Sequence, residues 1–237
     1  MLPDFETANA LFTSLKLDVS HETYQKMEEY AEFLVDYNTR VNLTAITDGD
    51  GILKKHFIDS MLLHHYCASQ FVQDAKLLDI GSGAGFPGVP LALLRGDLDI
   101  TLLDSLQKRI VFLSKLRDIL GLTYTPVHGR AEELAKKDEY REQFDIVTAR
   151  AVAALPTLAE YSLPFVKVGG YWLSMKGPGE DIQSASKAIS TLGGQFKQMI
   201  EYQLPDGDQR VIFVVKKIAH TPTKYPRNSG QIKSKPL

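Results

Sequence analysis

Cysteine is almost missing from this chain: there is one, Cys67, in 237 residues. That excludes a disulfide framework and a cysteine-rich zinc site. It fits a reducing cytosol, so a cytoplasmic location is expected. Long apolar runs are missing too. No stretch approaches the ~20 apolar residues that cross a bilayer. The opening MLPDFETANALF is acidic and lacks the basic start of a signal peptide. Net charge is small, −2 at neutral pH. With 44% hydrophobic and 24% charged residues, the composition is that of an ordinary folded chain in water. It is long enough to bury one sizeable core.

What charge there is lies unevenly. Residues 1–36 carry eight acids and two bases, whereas residues 209–237 carry seven bases and no acid. A basic end favours a polyanion; a solvated tail is the plainer reading of the same residues.

Helices are expected over residues 4–16, 20–38 and 52–68. In the second, Tyr24, Met27, Ala31, Leu34 and Val35 recur at helical spacing, and Ser20 can cap it. From residue 76 the texture changes. Strand-like segments at 76–80, 99–104, 125–129, 144–150, 170–175, 196–204 and 210–217 alternate with helical stretches such as 107–120. That rhythm predicts a parallel sheet with helices on both faces. The turn LPDGDQ joins the last two strands into an antiparallel terminal hairpin. The expected fold class is therefore α/β, a Rossmann-like sheet with a helical N-terminal extension. Residues 1–75 form the helical region, 76–218 the core and 219–237 a basic tail, in one compact unit. The tail, rich in Pro and Lys, is expected to be extended or loosely ordered.

The most informative stretch is LLDIGSGAGFPGVPLALL, residues 77–94. A strand runs straight into Gly81, Gly83 and Gly85, and Pro87 suits the first position of the next helix. This arrangement puts free backbone N–H groups and a positive helix end at the carboxyl edge of the sheet, where ligands of such sheets bind. Gly83, Gly85 and Gly88 spell the dinucleotide pattern G-x-G-x-x-G. Gly81, Gly83 and Gly85 spell G-x-G-x-G directly after the strand. Asp104 closes the second strand about 20 residues on, the place of a ribose-binding acid. Ala131 and Glu132 follow the third strand and could meet an adenine; Arg150 ends the fourth and would face the same pocket. NAD and S-adenosylmethionine both satisfy these features. The glycine register and the terminal hairpin favour the second.

VNLTAI, KHFIDS, LLDIGSGAGFPGVPLA, TLLDSLQKRIVFL, GRAEEL and TARAVA occur in that order. Together they resemble the bacterial small-subunit rRNA guanine-N7 methyltransferases, also called glucose-inhibited division protein B. The resemblance covers nearly the whole chain from about residue 20. It implies a class I S-adenosylmethionine-dependent methyltransferase fold, S-adenosylmethionine as cofactor, and methylation of a guanine N7 in the decoding-region loop of 16S rRNA. The partner would be that RNA or the small ribosomal subunit, with no membrane, no metal and a monomeric enzyme. Matched by position, Gly81, Phe86, Ala131, Glu132 and Arg150 would bind the cofactor. Gly83, Gly85 and Asp104 join them on the physical reading above.

Guanine N7 has a lone pair and no proton at neutral pH, so no general base is needed and no catalytic residue is assigned. His56 and Asp59, one helical turn apart, either face the active cleft or, as the favoured reading, serve a structural hydrogen-bonding role, and Asn42 is expected as a cap between the helical region and the sheet. Lys108, Arg109, Arg227, Lys233 and Lys235 are candidates for RNA phosphates. YPR at 225–227 matches a basic segment of the family, but fewer bases follow it than the family shows.

Overall fold

The computed structural model describes residues 1–237. Side-chain caps start the N-terminal helices. Asp4 accepts the Thr7 N–H at 2.9 Å to open α1 (Phe5–Ser14), and Ser20 accepts that of Thr23 at 3.1 Å to open α2 (His21–Asn38). Helix α2 buries Tyr24, Met27, Tyr30, Ala31, Leu34 and Tyr37, spaced as the sequence period requires. The third helix runs from α3 (Gly49–Ile52) through a wider π-helical stretch (Leu53–Ile58) into α4 (Asp59–Tyr66). The link before it is held by Asn38, not Asn42: Asn38 accepts from the Leu43 and Thr44 N–H groups, while Asn42 lies exposed.

The strands are β1 (Lys76–Ile80), β2 (Asp99–Asp104), β3 (Thr125–His128), β4 (Phe144–Arg150), β5 (Val166–Lys176), β6 (Gly194–Gln203) and β7 (Gln209–Lys217). The helices that follow them are α5 (Gly88–Leu94), α6 (Gln107–Leu120), α7 (Ala131–Leu134), α8 (Leu155–Ser162), α9 (Ser186–Thr191) and α10 (Ser229–Ser234). The sheet order is β3-β2-β1-β4-β5-β7-β6. β1 to β5 are parallel, and β7 runs antiparallel between β5 and β6. The chain winds outward from β1 to β3 and returns to place β4 on β1's other side. The crevice between β1 and β4 is the switch point of the order.

Both faces of the sheet are covered, so the central strands are apolar on both sides. One core cluster of 41 buried residues joins the N-terminal helices to α5, α6 and one face. A second of 23 fills the other face beneath α8 and α9. The tail differs from expectation. Asn228 caps α10, Ile232 is fully buried, and Arg141 donates to the carbonyls of Thr221 and Tyr225 at 2.7 and 2.9 Å. One apolar anchor and one carbonyl clamp hold a segment whose composition reads as loose.

Candidate functional site

The loop after β1 needs its glycines for shape. Gly81, Gly83 and Gly85 all have positive φ (+69°, +59° and +100°). A Cβ on Gly85 would stand 2.7 Å from both Tyr30 Oη and Val89 Cγ2. The backbone donors are less free than the sequence suggests. Gly81 and Ser82 donate to the Leu103 carbonyl, Gly85 and Phe86 to that of Ser82, and Gly83 to Asp104 Oδ2 at 3.0 Å. Helix α5 starts at Gly88, one residue past Pro87, and the Gly88 N–H is taken by Asp79 at 3.2 Å. Asp79 has no exposed surface, and burial pushes its carboxyl up to about 7, partly countered by the Gly88 N–H. An acid inside an otherwise apolar strand was the available signal for it.

A first cavity opens beside this loop. Gly81, Asp104, Ala131, Glu132, Val152, Tyr161, Ser229 and Lys233 line it with neighbouring residues. A Cβ on Gly81 would come within 2.7 Å of Val152 Cγ2, so glycine keeps this wall bare. Asp104 is 2% exposed; it accepts from Gly83 N–H, Leu106 N–H and Arg109, leaving about one of its four lone-pair sites. Glu132 is also buried, and Arg130 approaches it no closer than 3.8 Å. Gly83, Gly85, Phe86 and Arg150 do not line this cavity.

Arg150 faces a second cavity of about 420 Å³ on the other side of the β4 tip, within the range of small-ligand sites. Arg150 donates to Asp59 Oδ2 at 2.9 Å, the Lys55 carbonyl at 2.8 Å and His56 Nδ1 at 3.2 Å. His56 Nδ1 stands between Arg150 Nη2 at 3.2 Å and the Lys55 carbonyl at 3.1 Å, and Nε2 meets Thr44 Oγ1 at 2.9 Å. Burial first, then the Arg150 charge, lowers His56 to about 3, and the ring is neutral. Tyr202 donates to Asp59 Oδ1 at 2.7 Å. His56 stacks on Phe86 at 4.5 Å, and Phe86 on Tyr30 at 5.1 Å. Tyr30 Oη in turn donates to the Ala84 carbonyl of the glycine loop. His56 and Asp59 thus make structural hydrogen bonds and also line the second cavity, and Phe86 is a packing ring between the two sites. Tyr30, Tyr202, Lys176 and Glu180 carried no motif that sequence reading could have used.

The two cavities share no lining residue. Arg150 and Ala151 border the second and Val152 the first, so the end of β4 is the partition. Among the expected phosphate-binding bases, Lys108, Lys233 and Lys235 are exposed. Arg109 pairs with Asp104 at 3.1 Å. Arg227 is committed elsewhere: it grips both oxygens of Glu160, which has no exposed surface, with Nε–Oε1 at 3.0 Å and Nη2–Oε2 at 2.6 Å.

Known proteins share this architecture. The chain matches solved structures of a precorrin-6y C5,15-methyltransferase from Geobacter metallireducens (TM-score 0.50, 15% identity, 66% of this chain and 88% of that one) and TrmN from Thermus thermophilus (TM-score 0.52, 16% identity, 70% and 53%). Those likenesses show the class I S-adenosylmethionine methyltransferase fold. Sequence relatives are much nearer. "Ribosomal RNA small subunit methyltransferase G" of Clostridium novyi is 44% identical, covering 98% of this chain and 97% of its own length. The protein of the same name from Leuconostoc citreum is also 44% identical, over 98% and 99%. The family model described as GidB, rRNA small subunit methyltransferase G, matches residues 23–211, and the chain belongs to that family.

Proposed function

We propose that this protein transfers a methyl group from S-adenosylmethionine to N7 of a guanine in the decoding-region loop of 16S rRNA, acting as a monomer on the RNA or the small subunit. The observation that carries the reading is the pair of separate cavities meeting at the β4 tip, one beside the glycine loop and Asp104 and one beside His56 and Arg150. The relatives' name supplies the RNA.

The first cavity suits an adenosine. Gly81 keeps one wall bare, Asp104 retains an acceptor site, and the Glu132 carboxylate beside Ala131 has no close partner. Gly83 and Gly85 serve through the loop's shape, which Asp104 and Tyr30 brace. Arg150 and Phe86 act at the partition. S-adenosylmethionine, when bound, supplies an activated methyl group on a sulfonium.

What remains for the chain is alignment, and holding two reactants in line can contribute roughly 7–11 kcal/mol. N7 brings its own lone pair, so no residue has to remove a proton. Both His56 nitrogens are occupied within the protein, Nδ1 by Arg150 and the Lys55 carbonyl and Nε2 by Thr44. Ile46 and Met175 give the otherwise polar second cavity an apolar side for a base to lie against. Lys108 and Lys235 meet phosphates, which makes binding steeply salt-dependent, whereas Lys233 stands at the first cavity.

The test uses small-subunit RNA from cells lacking this protein, incubated with it and methyl-labelled S-adenosylmethionine, then mapped by mass spectrometry. The expected product is a single 7-methylguanosine in the decoding-region loop. Label on any other atom, or none despite cofactor binding, overturns the reading.

A further inference from the structure

The second cavity contains more chemistry than alignment needs. Two carboxylates line it, Asp59 and Glu180. Asp59 is 2% exposed and already receives Arg150 on one oxygen and Tyr202 on the other, with Arg210 Nε 3.9 Å away. Glu180 is different. Its Oε1 accepts from Lys176 Nζ at 2.8 Å, Oε2 has no partner in the protein, and its side chain is 30% exposed at the cavity. Lys176 is itself held at the end of β5, donating to the Ala153 carbonyl, with one of its three N–H groups left over. Its side chain is only 7% exposed, so the ammonium is fixed rather than trailing in solvent.

We infer that Glu180, paired with Lys176, is the residue that selects guanine, by reading the edge of the base opposite N7. This rests on the reading that the second cavity takes the target base. The Watson–Crick edge of guanine runs acceptor (O6), donor (N1–H), donor (N2–H). An adjacent ammonium and carboxylate match that order: Lys176 donates to O6 while Glu180 accepts from N1–H and N2–H. Adenine reverses it. Its N6–H₂ would face the ammonium and its bare N1 the carboxylate, leaving like groups opposed and unpaired. An unstacked base presents this edge freely, and reading it leaves the N7 lone pair uncovered for methyl transfer. Glu180 follows Gly177-Pro178-Gly179, and Gly179 has φ +85° with nothing near its missing side chain.

The experiment compares wild type and E180Q on unmethylated small-subunit RNA carrying guanosine or inosine at the target position. Inosine lacks only the N2 amino group. Hydrogen bonds to a charged group are strong, so E180Q is expected to lose roughly 10- to 100-fold in kcat/KM on guanosine RNA. Its affinity for S-adenosylhomocysteine stays within twofold of wild type. Wild type falls by a similar factor on inosine RNA, whereas E180Q discriminates the two bases less than threefold. Equal guanosine-to-inosine ratios in the two proteins, or wild type indifferent to inosine, overturn the inference. The second of these needs no variant. If wild type places no methyl group on guanine N7, the proposed function fails; if it does and E180Q behaves as wild type, only the role of Glu180 fails.

Discussion

Removing the Arg227 guanidinium strands a carboxylate. Glu160 has no exposed surface, and its two oxygens receive the Arg227 backbone N–H at 2.8 Å and the side-chain N–H groups at 2.6–3.2 Å. Breaking a buried pair from one side costs about 3–5 kcal/mol, because the remaining charge keeps its desolvation penalty. Replacing both partners by neutral ones of similar size avoids most of that. R227Q is therefore expected to lose ~3–5 kcal/mol and E160Q/R227Q to recover at least half. The single tryptophan, Trp172, is fully buried in the same core cluster as the helix carrying Glu160, so its fluorescence follows urea unfolding directly. If only the tail detaches, proteolysis between residues 219 and 237 rises before the fluorescence changes. The competing role is phosphate binding. In that case R227Q would keep wild-type stability and lower the slope of log affinity on log salt by ~0.7–0.9. That outcome would refute the latch.

Three further outcomes follow from the glycine loop and its supports. G85A is expected to cost ~2–4 kcal/mol, since a methyl group there meets Tyr30 and Val89 at 2.7 Å and φ is +100°. G121A, with positive φ but open space, should cost only ~1–2 kcal/mol; equal urea midpoints for the two would contradict the crowding. Asp79, raised to about 7, resists ionisation in the folded state, so its contribution to stability is full at low pH and declines as pH rises towards 7. Between pH 5 and 8 this removes roughly 2–3 kcal/mol from wild type, and D79N should lack that part of the slope. Parallel stability–pH curves would show Asp79 to be ionised throughout. D104A should weaken S-adenosylhomocysteine binding at least tenfold by calorimetry with an unchanged circular dichroism spectrum, and an unchanged affinity would remove Asp104 from the nucleoside site.

Much of this was legible from residue order. The glycine cluster, the acid closing β2 and the turn before β7 each announce themselves because local chemistry demands those residue types at those points. The same is true of α2, whose buried face repeats at the helical period. What could not be read is long-range pairing. Arg227 looks like an RNA contact until Glu160, 67 residues earlier, is placed beside it. Arg150 faces the second cavity because Lys55, His56 and Asp59 lie there, some 90 residues away in the chain. The free N–H groups expected of the glycine loop are mostly absorbed by Ser82, Leu103, Asp104 and Asp79. Composition also misjudged the tail, where Ile232 and Arg141 outweigh the surrounding polar residues.

The three rings of Tyr30, Phe86 and His56 form one stack running from the second helix, through the bend after the first strand, to the wall of the second cavity. The enzyme consequently cannot be divided into a loading module and a recognition module. Loss of the N-terminal helices would blunt both halves of the reaction together, not substrate choice alone.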